Sequence, residues 1–211
     1  MEIESLKKEI KEKFFANSGC HDFDHTLRVL NLCMHLGKGE NADIEILSIA
    51  AILHDIAREE EKKSGGKICH AERGAMLSRQ ILEEKGLERE KIEKIIHCIE
   101  CHRYRKNRIP ETKEAKILFD ADKLDSIGAI GIGRAFVFAG EIGARVHNKD
   151  IKVEETESYS KEDTAYREFL VKLRNIKDKM LTDEGKKFAE ERHQFMFEFF
   201  DRLNKEVDGE V

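Results

Sequence analysis

Hydrophobic residues recur at intervals of three and four along most of the 211-residue chain. This spacing places them on one face of an α-helix, and no segment alternates with a period of two for long enough to predict a β-strand. A single proline, Pro110, leaves the chain with almost no helix breaker. The pattern predicts an all-α fold with helices over about 3–14, 24–37, 41–55, 70–84, 88–103, 112–125, 126–140, 169–180 and 182–203.

Side chains that can cap helix ends support several of these boundaries. Asn41, Thr112 and Thr182 are each predicted to cap the N-terminus of the following helix, and Gly86 to end the helix before it. Between about 143 and 160 the sequence is polar and aperiodic, which predicts a long loop. The helices over about 160–207 are expected to cover the core as part of one domain that spans residues 1–211.

The composition favours a folded protein with a well-solvated surface. Hydrophobic residues make up 40% of the chain and charged residues 38%. The 38 basic and 43 acidic residues give a formal net charge of −5, so no overall basic field exists to hold a nucleic acid polymer. The N-terminal sequence has no apolar run of signal-peptide length, and nowhere do 18 apolar residues run together. We therefore expect a cytoplasmic protein with no membrane partner.

Histidine or aspartate side chains that could bind a metal ion stand beside apolar helix residues at three places. His25 lies early in a predicted helix (HDFDHTLRVL), and the doublet His54-Asp55 ends an apolar one (AAILHDIA). The segment ILFDADKLD carries three aspartates, including Asp122, beside apolar helix residues. A single histidine of this kind is usually a hydrogen-bonded core residue, but three unpaired carboxylates are costly to bury. A bound cation would offset that cost.

The order and spacing of these residues resemble the H…HD…D motif of the HD-domain metal-dependent phosphohydrolases. His25 takes the first place, His54-Asp55 the second and Asp122 the last. The resemblance implies that His25, His54, Asp55 and Asp122 bind one divalent metal ion. Imidazole and carboxylate ligands suit Mn²⁺, Fe²⁺, Ni²⁺, Co²⁺ or Zn²⁺ better than Mg²⁺. Such an ion would lower the pKa of a water molecule and polarise a phosphoryl oxygen.

The resemblance extends at motif level over about residues 20–140. It continues in CHAERGA (69–75), in His102 and in DADKLDSIGAIGIGRAF (120–136). The last of these stretches is similar to a branch of small, stand-alone bacterial and archaeal HD hydrolases. The resemblance implies an HD-type helical bundle with the C-terminal helices packed on the core.

Other residues near these motifs are candidates for the substrate side of the site. The resemblance implies that His70 and His102, together with Asp55, take part in catalysis close to the metal or the phosphate. The segment HRYRKNR is unusually basic for an acidic protein, and we expect it to bind phosphate groups. The residues assigned to substrate binding are Arg28, Lys123, Arg103, Arg105 and Lys106. The alternative for each of them is an ordinary solvated side chain without a role in binding.

At one position the residue of this chain differs from that of a related group of HD enzymes. The HD nucleotidases that hydrolyse nucleoside monophosphates carry a glutamate three residues after the aspartate of the doublet, where this chain has Arg58 followed by Glu59. The GYP motif of the cyclic-di-GMP hydrolases does not occur either. The resemblance therefore favours a nucleoside triphosphate that is cleaved to the monophosphate and pyrophosphate. The alternatives are a phosphatase or phosphodiesterase acting on another phosphoester, and a non-catalytic HD sensor or scaffold that binds a nucleotide.

The five cysteines are interpreted as reduced thiols, because an odd number without an export signal is atypical of a disulfide framework. Cys98-x-x-Cys101, flanked by His97 and His102, is similar to half of a zinc site. No second CxxC completes such a site. We interpret these two cysteines as helix-packing residues.

Overall fold

The computed structural model describes residues 2–14, 23–103 and 108–211, and these contain no β-strand. The predicted all-α fold class is confirmed. The α-helices are α1 (Ile3–Phe14), α2 (Phe23–Gly39), α3 (Ile44–Leu53), α4 (Arg58–Lys63), α5 (His70–Glu84), α6 (Arg89–Cys101), α7 (Lys113–Leu124), α8 (Gly128–Glu141), α9 (Ala165–Val171) and α10 (Asp183–Asp208). Within these ranges, no helix combines the length and the apolar character needed to cross a lipid bilayer.

The chain divides into two compact units, Met1–Asp122 and Lys123–Val211. The boundary falls near the end of α7, and Asp122, the last predicted metal ligand, belongs to the N-terminal unit. All four predicted metal ligands therefore lie in one unit. That residues 1–211 form one domain stays a prediction.

Helix α3 is the centre of the N-terminal unit and contacts α1, α2 and α6. Every residue from Ile46 to Leu53 is buried, and a helix that is apolar on all sides is stable only inside a core. The last carbonyl groups of such a helix need hydrogen-bond donors that water cannot supply. Polar side chains directly after Leu53 can supply them, and the residues at that point are His54 and Asp55.

The N-terminal cap of α3 corrects one sequence prediction. The capping residue is Asp43, whose Oδ1 accepts hydrogen bonds from the backbone N–H groups of Glu45 and Ile46 at 2.9 and 3.1 Å. The predicted cap, Asn41, instead has φ 53° and lies in the turn after α2. Asparagine tolerates this left-handed conformation better than most residues, which explains its presence there.

The C-terminal unit is built around aromatic contacts between α8, α9 and α10. The rings of Phe169 and Phe200 stack with their centroids 4.5 Å apart, and Phe136 meets Phe199 edge to face at 6.2 Å. Phe169 and Phe200 are buried. Such pairs stabilise a small core beyond the area that they bury.

Three features before α10 differ in how well the sequence predicts them. The single helix expected over about 169–180 is wrong, because α9 ends at Val171 and two 3-10 helices follow, Leu173–Asn175 and Lys177–Lys179. The predicted cap Thr182 is correct, since its hydroxyl oxygen accepts a hydrogen bond from the backbone N–H of Gly185 at 3.0 Å. The loop expected over about 143–160 is also present, with one 3-10 helix at Val153–Glu155.

Replacing the cap of α3 should destabilise the protein measurably. We expect Asp43→Ala to lower the free energy of unfolding by about 1 kcal/mol, because two backbone donors lose their acceptor. Asn41→Gly is the matched control and should cost nothing, since glycine adopts a positive φ without strain. Urea denaturation of the three proteins in the presence of a chelator measures both values. A larger loss for Asn41→Gly than for Asp43→Ala would contradict the assignment of the cap.

Candidate metal centre

A first cluster of metal-competent side chains joins α2, the end of α3 and α7. His25 Nε2 lies 3.3 Å from His54 Nε2 and 3.4 Å from Asp122 Oδ1. One ligand atom from each of the three residues falls within 4.8 Å of the others. Both histidines are buried and Asp122 is half-buried. Solvent can therefore reach this cluster at most beside Asp122.

A second cluster lies beside the first and consists of Asp55, His70 and His102. His70 is the first residue of α5, and His102 directly follows α6. His70 Nε2 lies 3.0 Å from His102 Nε2 and 3.1 Å from Asp55 Oδ1. All three residues are buried.

The carboxylate of Asp55 connects the two clusters. Its Oδ2 lies 3.7 Å from His25 Nε2 and 3.8 Å from His54 Nε2, whereas Oδ1 faces His70 and His102. Oδ1 is buried and accepts no hydrogen bond from the described residues. A buried carboxylate oxygen without a donor is costly, and a cation bound at this point would remove the cost.

The two histidines at helix ends present their Nε2 atoms as ligands. Nδ1 of His54 donates to the carbonyl oxygen of Ala51 at 2.7 Å, and Nδ1 of His102 donates to that of Ile99 at 2.6 Å. Because a carbonyl oxygen only accepts, the proton of each neutral ring is on Nδ1 and the lone pair is on Nε2. The Nε2 lone pair of His54 faces Nε2 of His25 at 3.3 Å, and that of His102 faces Nε2 of His70 at 3.0 Å. This donor set fits a divalent transition metal ion.

Burial favours the protonation states that metal ligation requires. It lowers the pKa of His54 to about 4 and also lowers the pKa of His102. Burial alone would raise the pKa of Asp55, but its interactions with His54 and Arg58 hold that pKa well below the ordinary value. Neutral imidazoles around an ionised carboxylate are the forms that bind a metal ion.

A charged network on α4 surrounds the second cluster, and sequence reasoning missed its central member, Glu61. Arg58 Nε donates to Asp55 Oδ2 at 3.1 Å, and Arg103 Nη1 donates to Glu61 Oε1 at 2.8 Å. Glu61 Oε2 lies 2.7 Å from His70 Nδ1. Although partial burial raises the pKa of Glu61, its hydrogen bond with His70 and the charge of Arg103 lower it to about 2. The sequence REEEKK offers no signal that separates this glutamate from its two neighbours.

The predicted substrate-binding residues fall at different places. Arg28 lies on α2 three residues after His25 and is half-buried, and Lys123 directly follows Asp122 on α7 and is half-buried. Arg103 is bound to Glu61. Arg105 and Lys106 lie outside the described residues. Their roles in binding stay predictions.

One of the three aspartates in ILFDADKLD does not need a cation. Asp125 is buried, and Arg134 Nη1 donates to its Oδ2 at 2.7 Å. The expectation that all three carboxylates are unpaired is therefore wrong. The pairing residue lies nine positions further on, in a helix whose sequence gives no indication of the contact.

Cys98 and Cys101 belong to neither cluster. Both are buried on α6, and burial raises the pKa of Cys98 to about 12, which keeps it a neutral thiol. The neighbouring His97 accepts a hydrogen bond from the backbone N–H of Glu111 at 3.1 Å. These positions agree with the interpretation of the cysteines as helix-packing residues.

Comparison with known proteins shows which family this chain resembles. The family model of the HD domain matches residues 22–127. The uncharacterized protein YpgQ of Bacillus subtilis is 31% identical, over 99% of this chain and 95% of its own. The crystal structure of YpgQ in complex with ADP has a TM-score of 0.75 at 30% identity and covers 100% of both chains. An HD-superfamily hydrolase from Bacillus thuringiensis has a TM-score of 0.77 at 30% identity, over 98% of this chain and 96% of its own.

The chain belongs to the HD domain family. This confirms the resemblance drawn from the sequence motifs and the prediction of a metal-dependent phosphohydrolase of the HD superfamily. HD domains bind divalent metals, and the two His/Asp clusters are groups that could hold such an ion.

The lowered pKa of His54 predicts how stability depends on pH when no metal is bound. Its folded-state pKa of about 4 lies below the ordinary value of 6.5, so the unfolded chain binds more protons between these two values. The free energy of unfolding should therefore fall as the pH drops from about 6.5 toward 4, with a contribution from this group of up to about 1.4 kcal/mol per pH unit. Urea denaturation with a chelator measures the slope. His54→Gln should reduce it. Equal slopes for wild type and His54→Gln would contradict the burial of a neutral His54.

Proposed function

We propose that this protein hydrolyses a nucleoside triphosphate to the monophosphate and pyrophosphate. The observation that carries the proposal is the pair of neighbouring His/Asp clusters that the carboxylate of Asp55 connects, with Oδ1 of that residue lacking a hydrogen-bond donor among the described residues. Support for a nucleotide comes from YpgQ, which was crystallised with ADP and is similar over the whole chain. In the proposed reaction, water attacks the α-phosphorus and the bond from that phosphorus to the α,β-bridging oxygen breaks.

We assign the binding of one divalent metal ion to His25, His54, Asp55 and Asp122. When bound, such an ion supplies Lewis-acid polarisation of a phosphoryl oxygen and makes a nearby water more acidic. The protein contributes two neutral imidazoles and two carboxylates, which together balance the charge of a divalent ion. Mn²⁺, Fe²⁺, Ni²⁺, Co²⁺ and Zn²⁺ suit these nitrogen and oxygen ligands better than Mg²⁺.

His70 and His102 are assigned to catalysis with Asp55. Their Nε2 atoms lie 3.1 and 3.6 Å from Asp55 Oδ1, so a water molecule held by this carboxylate would also contact the imidazoles. A neutral imidazole with a free Nε2 can accept the proton of that water. We assign the binding of the negatively charged β- and γ-phosphates to the basic residues Arg28, Lys123, Arg103, Arg105 and Lys106.

The position of the missing glutamate argues against a monophosphatase. Arg58 occupies it and is bound to Asp55, while Glu59 pairs with Lys63 at 3.2 Å and is 39% exposed. Glu61 is the carboxylate of α4 nearest to the second cluster, but a carboxyl with a pKa of about 2 is a weak general base. A glutamate poised to activate water for monophosphate hydrolysis is therefore lacking among the described residues of α4.

A product assay tests the proposed reaction. The purified protein, loaded with Mn²⁺, is incubated with each of the common ribo- and deoxyribonucleoside triphosphates and with the matching monophosphates. We expect triphosphates to be consumed with equal amounts of monophosphate and pyrophosphate released, and the reaction to stop when a chelator is added. Faster release of inorganic phosphate from the monophosphates would contradict the proposal and favour a phosphatase. Nucleotide binding without turnover would favour the sensor alternative.

Metal analysis of variants tests the ligand assignment separately from activity. Wild-type protein reconstituted with Mn²⁺ and dialysed should retain about one ion per chain. His54→Ala and Asp122→Ala should retain almost none, because each removes one of only four ligands. His97→Ala is the matched control, since this histidine binds the backbone of Glu111 and not either cluster. Equal metal content in wild type, His54→Ala and Asp122→Ala would end the assignment.

A further inference from the structure

Two arginines from different helices of the N-terminal unit meet beside the second cluster. Arg58 is the first residue of α4, and Arg103 lies just after the end of α6. Their Nη1 atoms lie 3.1 and 2.8 Å from the same atom, Nδ1 of His70. The side chains are 23% and 21% exposed. The two guanidinium groups therefore lie side by side at the edge of the buried histidines, where a ligand from solvent can reach them.

The carboxylate of Glu61 holds the two arginines together. Its Oε2 accepts a hydrogen bond from Arg58 Nη1 at 3.2 Å, and its Oε1 accepts one from Arg103 Nη1 at 2.8 Å. Each carboxylate oxygen thus binds a different guanidinium group, and both side chains are fixed before any ligand arrives. Side chains that are fixed in advance lose less conformational entropy when a ligand binds.

Several hydrogen-bond donors of the pair remain available to a ligand. A guanidinium group carries five N–H donors and no acceptor. Arg58 uses Nε for Asp55 and Nη1 for its contacts with Glu61 and His70, so its Nη2 makes no hydrogen bond to the described residues. Arg103 uses only Nη1 within the same part of the chain. The remaining donors are typical of groups that bind phosphate oxygens.

The charge of the pair is in excess when Asp55 binds a cation. Among the described residues, Arg58 pairs with Asp55 and Glu61, and Arg103 pairs with Glu61. Because the proposed function makes Asp55 a metal ligand, Glu61 is then the carboxylate that must compensate two guanidinium groups. Like charges at this separation repel each other. An anionic ligand that binds both arginines would remove this repulsion.

The arginine pair also adjoins the proposed metal ligands. Arg58 Nε lies 3.1 Å from Asp55 Oδ2. The same oxygen lies 3.7 Å from His25 Nε2 and 3.8 Å from His54 Nε2. A phosphorylated molecule with one phosphate at this cluster can therefore extend its next phosphate toward the two guanidinium groups.

We propose that Arg58 and Arg103 form an arginine clamp for a second phosphate group of the substrate, with Glu61 as the residue that positions both. The inference rests on the proposed function and adds Arg58 to the residues that bind the substrate. The clamp selects a chain of two or more phosphates, because a monophosphate that occupies the metal cluster has no further phosphate to place between the arginines.

Isothermal titration calorimetry with inorganic pyrophosphate and, separately, with inorganic phosphate tests the clamp without turnover. All proteins are titrated at the same fixed Mn²⁺ concentration. Arg58→Gln and Arg103→Gln should each weaken pyrophosphate binding about 10- to 100-fold, because charge-assisted hydrogen bonds are lost, and should weaken phosphate binding less. Arg73→Gln is the matched control and should bind pyrophosphate as wild type does, since Arg73 donates to Glu60 at 2.7 Å, on the same helix as Glu61.

Metal content separates phosphate binding from support of Asp55. Arg58→Gln should retain at least as much Mn²⁺ as wild type, because Arg58 is not a ligand. An unchanged affinity for pyrophosphate in Arg58→Gln, or a loss of Mn²⁺ from it, would overturn the proposal. If Arg58→Gln does not fold, Arg58→Lys keeps the charge but not the paired donors, and wild-type affinity in that variant would overturn the proposal as well. Since the titrations need no turnover, a failed triphosphate assay would leave their result intact.

Discussion

The buried carboxylate of Asp55 is the constraint on which the N-terminal unit depends. It lies between two pairs of histidines, all buried, and one of its oxygens accepts no hydrogen bond from the described residues. Arg58 supplies a partner for the other oxygen. One buried oxygen of the carboxylate is thus left without a hydrogen-bond donor, which is costly unless a cation is bound there. The clusters on both sides of Asp55 offer the neutral nitrogen ligands that such a cation requires.

The helices produce this arrangement through a repeated local device. His54 and His102 are the residues that end α3 and α6, two helices that pack against each other. Each ring donates Nδ1–H to the carbonyl oxygen three residues earlier, which satisfies a group that the end of a helix leaves without a partner. The same hydrogen bond turns Nε2 toward Asp55. Helix termination and ligand orientation therefore have one cause. His70 differs from these two, since its Nδ1 lies 2.7 Å from the side chain of Glu61 and not beside a backbone carbonyl.

The sequence predicted most of the helices, because helical periodicity is local information. It located α5 to α8 within about two residues. The metal ligands His25, His54, Asp55 and Asp122 came from the resemblance to the HD family, and the structure brings these residues close together. The helix expected over about 169–180 failed because its spacing fits more than one structure. The stripe from Phe169 to Met180 identifies a buried face, but spacings of three and four residues suit both α-helical and 3-10 segments.

The contacts of charged side chains were harder to predict than the helices. Neither the ion pair of Asp125 with Arg134 nor the contact of Glu61 with His70 leaves a pattern in the sequence, because each is made between elements brought together only by folding. The cap of α3 was misplaced by two residues for a different reason. Asparagine and aspartate are both good caps, and the choice between Asn41 and Asp43 depends on backbone angles that spacing does not determine.

Anomalous X-ray diffraction from crystals saturated with Mn²⁺, collected on both sides of the manganese absorption edge, tests most directly whether the two clusters around Asp55 form a cation site. We expect an anomalous peak within bonding distance of Asp55 and of the Nε2 atoms of His25 and His54. A crystal that is saturated with Mn²⁺ but shows no peak beside Asp55, or shows one only at surface carboxylates, would contradict it.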